Sequence, residues 1–242
     1  MSGTHFSTAG THEGTGRGVH VVVSHLTKRI RGVEVLSDIS LEVPPGSTVG
    51  LSGANGSGKT MLMRAVLGLI RPNSGEVRVD GKVVGKDISF PPSVGVLLEG
   101  PAFLASRSGL ENLRLLASVR DVATEEDCLA VLRDVGLDSR DRRPFRKYSL
   151  GMKQRLGIAG ALLERPSLII LDEPTNALDA SGVEMVTRLV RREQGRGATI
   201  LLACHASAIL RELSDEIYAM AEGHVDGHES FVRGEEHDGA EH

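Results

Sequence analysis

The run Gly53-Ala54-Asn55-Gly56-Ser57-Gly58-Lys59-Thr60 fits the phosphate-cradling pattern G-x-x-x-x-G-K-[ST], and nothing else in the chain restricts the fold as much. Its surroundings agree: residues 47–52 read as a buried strand, and residues 59–69 read as a helix ending at the turn Arg71-Pro72-Asn73-Ser74-Gly75. A strand, a glycine-rich turn and a helix N-terminus together aim backbone N–H groups at an anion. The expected ligand is a nucleoside triphosphate, held by residues 53–60, with Lys59 reaching the terminal phosphates and Thr60 ligating Mg²⁺.

The 242 residues suffice for one large α/β domain with an insertion, and a 40% share of hydrophobic residues permits a sizeable core. Only 3% are aromatic and none is Trp, so that core must come from Val, Leu, Ile and Ala. Such residues suit parallel strands buried on both faces. The formal net charge of -4 gives no global attraction to nucleic acid or anionic lipid, so neither nucleic acid nor a lipid anchor is an expected partner. Cys128 and Cys204 lack metal-ligand spacing and read as separate thiols in a reducing, cytoplasmic compartment. No apolar run approaches the roughly 18 residues needed to span a bilayer, so another chain would have to supply any membrane spans.

Residues 1–18, rich in Gly, Thr and His, read as a disordered tail, and residues 227–242, with Glu235, Glu236, Asp238 and Glu241, read as a second, acidic one. Between them, residues 19–226 form the expected domain. Strand-like pieces span 20–43 around Arg31-Gly32, residues 76–84 form a hairpin about Asp80-Gly81, and 93–98 are another strand. Helical periodicity over 109–120 and 124–135 marks an α-helical insertion at about 102–147. Helices at 150–164, 180–194 and 207–213 then alternate with strands at 168–172, 199–203 and 216–220. The expected fold is α/β: a P-loop core with a mostly parallel sheet, an antiparallel β edge subdomain and the helical insertion.

A phosphate loop names a ligand and no reaction. Leu168-Ile169-Ile170-Leu171-Asp172-Glu173 adds one, because two carboxylates emerge together at the C-terminal end of a buried strand, where open α/β sheets place ligands. Asp172 is suited to hold Mg²⁺ and Glu173 to orient or deprotonate an attacking water. Hydrolysis is therefore favoured over simple nucleotide binding.

Tyr148-Ser149-Leu150-Gly151-Met152-Lys153-Gln154-Arg155 resembles a variant of the signature motif of ABC ATPases, whose usual core is L-S-G-G-Q; Ser149 and Gly151 match, while Tyr148, Leu150 and Met152 depart. Pro174-Thr175-Asn176-Ala177-Leu178-Asp179 resembles that family's D-loop, and His205, closing a strand, resembles its switch histidine. The resemblance covers about residues 19–225 and is nearest to the ATP-binding subunits of bacterial exporters of drugs and peptide antibiotics, through Leu98-Glu99-Gly100-Pro101-Ala102-Phe103 and Tyr148-Ser149-Leu150-Gly151-Met152. It implies an ATPase with ATP and Mg²⁺ as cofactors, at the inner face of the cell membrane. It further implies dimerisation around ATP with a second ATPase subunit, most simply an identical one. In that arrangement Ser149 and Gly151 meet the nucleotide of the opposite subunit, Asp179 lies in the loop that crosses the interface, His205 contacts the γ-phosphate, and a separate transmembrane permease is driven. A soluble ABC-type switch ATPase not coupled to transport is the alternative.

Three positions depart from the family. Glu99 stands where Gln is usual, bringing a negative charge towards the γ-phosphate and the metal, which it could ligate. Ile30 takes the place of the aromatic residue that stacks on adenine, and Met61 that of a second hydroxyl for the α-phosphate. His224 and His228, four residues apart, read as tail residues because Gly223, Asp226 and Gly227 argue against a helix.

Overall fold

β1 (Val21–Ile30) and β2 (Val33–Val43) form a long antiparallel hairpin about Arg31-Gly32, both of which adopt positive φ. β3 (Thr48–Ser52) leads into α1 (Lys59–Val66), which stops short of the expected residue 69 because Gly68 turns the chain with φ 74°. β4 (Ser74–Val79) and β5 (Lys82–Val83) flank the Asp80-Gly81 turn, and β6 (Val94–Leu97) follows. The insertion contributes α2 (Gly109–Arg120) and α3 (Glu125–Asp134). Then come α4 (Leu150–Leu162), β7 (Leu168–Asp172), α5 (Ala180–Gly195), β8 (Thr199–Ala203), α6 (Ser207–Leu213), β9 (Glu216–Ala221) and β10 (His224–Ser230). This computed structural model describes residues 18–231.

Two sheets result, an antiparallel one in the order β2-β1-β4-β5 and a six-stranded one in the order β10-β9-β3-β8-β7-β6. In the second, β9, β3, β8, β7 and β6 run parallel and β10 closes one edge antiparallel to β9. Every residue of β7 and β8 is buried, as continuous aliphatic runs covered on both faces require. α5 lays Gly182, Met185, Val186, Leu189 and Val190 against the sheet at helical spacing. The mixed sheet, antiparallel subdomain and helical insertion are the architecture expected from the sequence.

α2 and α3 each begin in a capping box, Ser108 with Glu111 and Thr124 with Asp127, so their first N–H groups are satisfied locally. An edge-to-face pair of Phe103 and Phe145, centroids 5.6 Å apart, and the buried Tyr148, whose hydroxyl accepts from Gly109 N–H, bind the insertion to the start of α4.

One expectation needs correction. The acidic tail does not begin at residue 227: Glu222 and Gly223, both at positive φ, reverse the chain into β10, and Phe231 N–H donates to the Asp215 carbonyl at 2.7 Å. His228 is a strand residue, stacked on Tyr218 at 4.2 Å and hydrogen-bonded to Glu216. An edge strand needs only one partner and leaves its polar side chains in water, so its composition imitates a tail. Residues 1–17 and 232–242, on which the rest of the two tail assignments fall, lie outside the described residues.

Candidate active site

The loop between β3 and α1 is built for close backbone approach. Gly53 has φ 143°, and a Cβ there would lie 2.2 Å from the Met220 carbonyl oxygen; Gly58, at φ 107°, precedes the first turn of α1. Asn55, Gly56, Ser57, Gly58, Lys59, Thr60 and Met61 line a cavity of ≈ 860 Å³, a size suited to a nucleotide. Glu99, Gly100, Leu150, Lys153, Gln154, Asp172, Glu173, Asn176 and Ala177 complete much of its wall. Sequence-predicted site residues from three separate segments, 55–61, Glu99 and Asp172-Glu173, thus share one cavity.

Within it, polar groups bond to one another. Thr60 Oγ1 donates to Asp172 Oδ2 at 2.5 Å, which brings together the two groups expected to hold a metal. The buried Lys59 donates to the carbonyls of Gly53 at 2.7 Å and Ala54 at 3.1 Å, so its ammonium folds back over its own loop. Glu173 leaves β7 at φ 50°, a left-handed conformation costly for a residue with a side chain. Its N–H continues the sheet ladder to the Ala203 carbonyl, and its Oε2 accepts from His205 N–H at 3.3 Å. His205 Nε2 lies 3.2 Å from Glu173 Oε1 but forms its hydrogen bond with Asn55 Oδ1 at 2.8 Å. Among the described residues Glu173 Oε1 and Ser57 Oγ are buried without a hydrogen-bond partner. Desolvation pushes the Glu173 pKa above the usual carboxylate range and neighbouring Asp172 adds to this, against the opposing pull of His205 and Lys59.

These features fit Mg²⁺ and a triphosphate. Thr60 and Asp172 are hard oxygen donors, the loop N–H groups and Lys59 suit an anion, and the orphaned Ser57 hydroxyl offers a further donor.

The remaining predicted residues stand apart. Ser149 caps α4, accepting from Met152 N–H, while Gly151 approaches the Ala177 carbonyl so closely that an added Cβ would sit 3.0 Å from it; neither lines the cavity. Asp179 caps α5 through Gly182 N–H at 2.9 Å and lies 3.6 Å from Arg155 of α4, again outside the cavity wall. Ile30 ends β1 at the hairpin tip, and Val35 of β2 is the residue of that hairpin that lines the cavity. Glu99 lines it with φ 49° while paired to Arg64 of α1 at 2.7 Å. Ala54 is exposed on the loop rim. Sequence reasoning missed Val35, Arg64, Lys153 and the buried Gln154, whose amide donates to the Glu173 carbonyl. Gln154 gave little signal, since it lies between Lys153 and Arg155 at the polar start of its helix.

Comparison with known proteins agrees with this geometry. Residues 36–176 match the ABC transporter family. The chain is 41% identical over 212 residues to the uncharacterised ABC transporter ATP-binding protein YybJ of Bacillus subtilis (strain 168), covering 88% of this chain and 97% of that protein. It is 39% identical to the bacitracin transport ATP-binding protein BcrA of Enterococcus faecalis, covering 85% of this chain and 67% of BcrA. To the lantibiotic transport ATP-binding protein SrtF of Streptococcus pyogenes it is 32% identical, covering 90% and 92% of the two chains. Among solved structures, an ATP-binding subunit of an ABC transporter superposes with a TM-score of 0.79 at 27% identity, covering 87% of this chain and 89% of that one. The fold is shared with the dimeric, ADP- and phosphate-bound cassette MJ0796, TM-score 0.77 at 24% identity, covering 87% and 98%. With phosphate loop, paired carboxylates and family match in agreement, this chain belongs to the ABC transporter family as an ATP-binding, ATP-hydrolysing subunit.

Proposed function

We propose that two copies of this chain close head to tail around two ATP molecules and drive a separate transmembrane permease from the inner face of the cell membrane. The cargo we propose is an exported drug or antibiotic peptide, in keeping with the activities named for BcrA and SrtF. One observation carries the dimer: the cavity has a phosphate loop and two carboxylates, whereas Ser149, the exposed N-cap of α4, lies outside its wall and leaves that helix start open to an anion held by another chain. A second subunit's nucleotide supplies that anion.

Lys59 and the N–H groups of the loop bind the phosphates, and release of Lys59 from the Gly53 and Ala54 carbonyls frees its charge for them. Thr60 and Asp172 would hold Mg²⁺, with Glu99 a third candidate, and the metal would neutralise charge on the phosphate oxygens. Glu173 orients water through Oε1, which makes no hydrogen bond among the described residues, and takes up its proton, a task that its raised pKa suits. His205, bonded to Asn55 of the loop, senses the terminal phosphate and steadies Glu173 from behind.

Light scattering on Glu173→Gln tests this reading. With ATP and Mg²⁺ the variant is expected to run as a two-chain species that ADP does not support. A single-chain species at saturating ATP would refute the dimer.

A further inference from the structure

Arg64 lies one helical turn beyond Thr60 on α1, a spacing that puts both on one face of the helix. Its guanidinium donates to Glu99 Oε2 at 2.7 Å. Glu99 lines the same cavity as Thr60 and Asp172, so this residue borders the proposed metal site while a side-chain cation holds its carboxylate. The other two acids there are engaged differently, Asp172 by the Thr60 hydroxyl and Glu173 by His205.

The backbone around Glu99 suits a residue that changes partners. Glu99 and Gly100 both have positive φ, 49° and 111°, and the next residue, Pro101, abuts α4 so closely that a Cβ added at Gly157 would lie 2.9 Å from the Pro101 Cβ. Pro101 is therefore packed against the helix two residues from Glu99, with Gly100 between them. The pair is also weak enough to exchange: the Arg64 and Glu99 side chains are 31% and 58% exposed, and such ion pairs are worth little in water. A divalent cation competes well against one guanidinium for the same carboxylate.

We propose that Arg64 is a positioning residue that holds the Glu99 carboxylate away from the metal site, and that Glu99 trades Arg64 for the metal when nucleotide arrives. The inference rests on the nucleotide and metal reading of the cavity given above. It assigns Glu99 a use that an uncharged amide could not fill, because an amide forms no ion pair with either cation. The trade moves charge at the loop that Pro101 anchors to α4, giving the insertion a way to register metal binding.

Mn²⁺ affinity of the ADP-loaded protein, read by electron paramagnetic resonance, tests the exchange without turnover and without a permease. Arg64→Gln is expected to tighten Mn²⁺ by about two- to fivefold, the size of the exposed pair it removes. Arg64→Lys, which keeps a cation, should stay near wild type. Glu99→Gln should weaken Mn²⁺, and the double variant should match Glu99→Gln alone. An Arg64→Gln protein with unchanged or weaker Mn²⁺ affinity overturns the proposal, as does an Arg64 effect that persists when Glu99 is Gln. Wild-type protein that takes up ADP but no Mn²⁺ would instead remove the metal reading of the cavity, and the exchange with it.

Discussion

The side-chain amide of Gln154 donates to the backbone carbonyl of Glu173 across 2.9 Å, fastening the helix that Ser149 starts to the carboxylate that stands over the phosphate loop. Gln154 is buried, and Glu173 sits in a left-handed conformation that neighbours must maintain. Gln154→Ala should therefore slow ATP hydrolysis by about tenfold through loss of carboxylate placement, with nucleotide affinity retained. Single-turnover hydrolysis and equilibrium binding of a fluorescent ATP analogue separate the two effects. Equal losses in both would make Gln154 a general support of the fold.

Complementation reads out the shared site. Glu173→Gln removes the proposed base and Gly151→Asp places a charge at the start of α4, so each homogeneous protein should be nearly inactive. A mixed dimer holds one intact combination, the loop and carboxylates of the Gly151→Asp chain facing the α4 start of the Glu173→Gln chain. Mixing should restore ATPase activity that neither protein has alone. Activity that stays at the sum of the two would place both halves of the site in one chain.

We propose that base recognition rests on aliphatic surface. Val35 lines the cavity and Ile30 ends the neighbouring strand, so neither hydrogen bonds nor ring stacking from these positions distinguish adenine from guanine. ATP and GTP affinities should lie within about tenfold, since the discriminating contacts are each worth about 1 kcal/mol. Ile30→Tyr should tighten nucleotide binding by about fivefold through stacking. Calorimetry on both nucleotides checks this, and a strong ATP preference that the variant leaves unimproved would count against it.

Asp127 closes the capping box of α3, accepting from the Thr124 N–H and hydroxyl, and the Thr124 backbone bond, then its side chain, hold its pKa below the usual aspartate range. A folded value below the unfolded one stabilises the protein above the unfolded pKa, and that contribution is lost as pH falls through the folded value. Asp127→Asn should cost about 0.5–1 kcal/mol near neutral pH, and the gap to wild type should close in acid. Urea unfolding at several pH values measures it; a gap independent of pH would deny the carboxylate its part.

Local chemistry made the centre of the site readable. Residues 53–60 announce themselves because a backbone anion cradle needs glycine at fixed offsets, and Asp172-Glu173 because an aliphatic strand buried on both faces can present acids only where it ends. Partners set by tertiary contact left no such mark. The bond of His205 to Asn55 joins positions 150 apart and that of Arg64 to Glu99 positions 35 apart. β10 was hidden for a further reason, since its polar alternation resembles solvated chain; only the Glu222-Gly223 turn, placed directly after β9, could have given it away.

Lys59 spends its ammonium on the Gly53 and Ala54 carbonyls. Replacing it by alanine is thus no simple deletion of a phosphate contact, because the Gly53 and Ala54 carbonyls lose the ammonium at the same time, Ala54 keeping the Ser57 N–H. A loss of affinity in such a variant would report loop collapse and missing charge together. The separable experiment is Lys59→Arg, which keeps the charge but alters how it can reach back. An affinity deficit in that protein would weigh the loop's own geometry against the electrostatic pull it exerts.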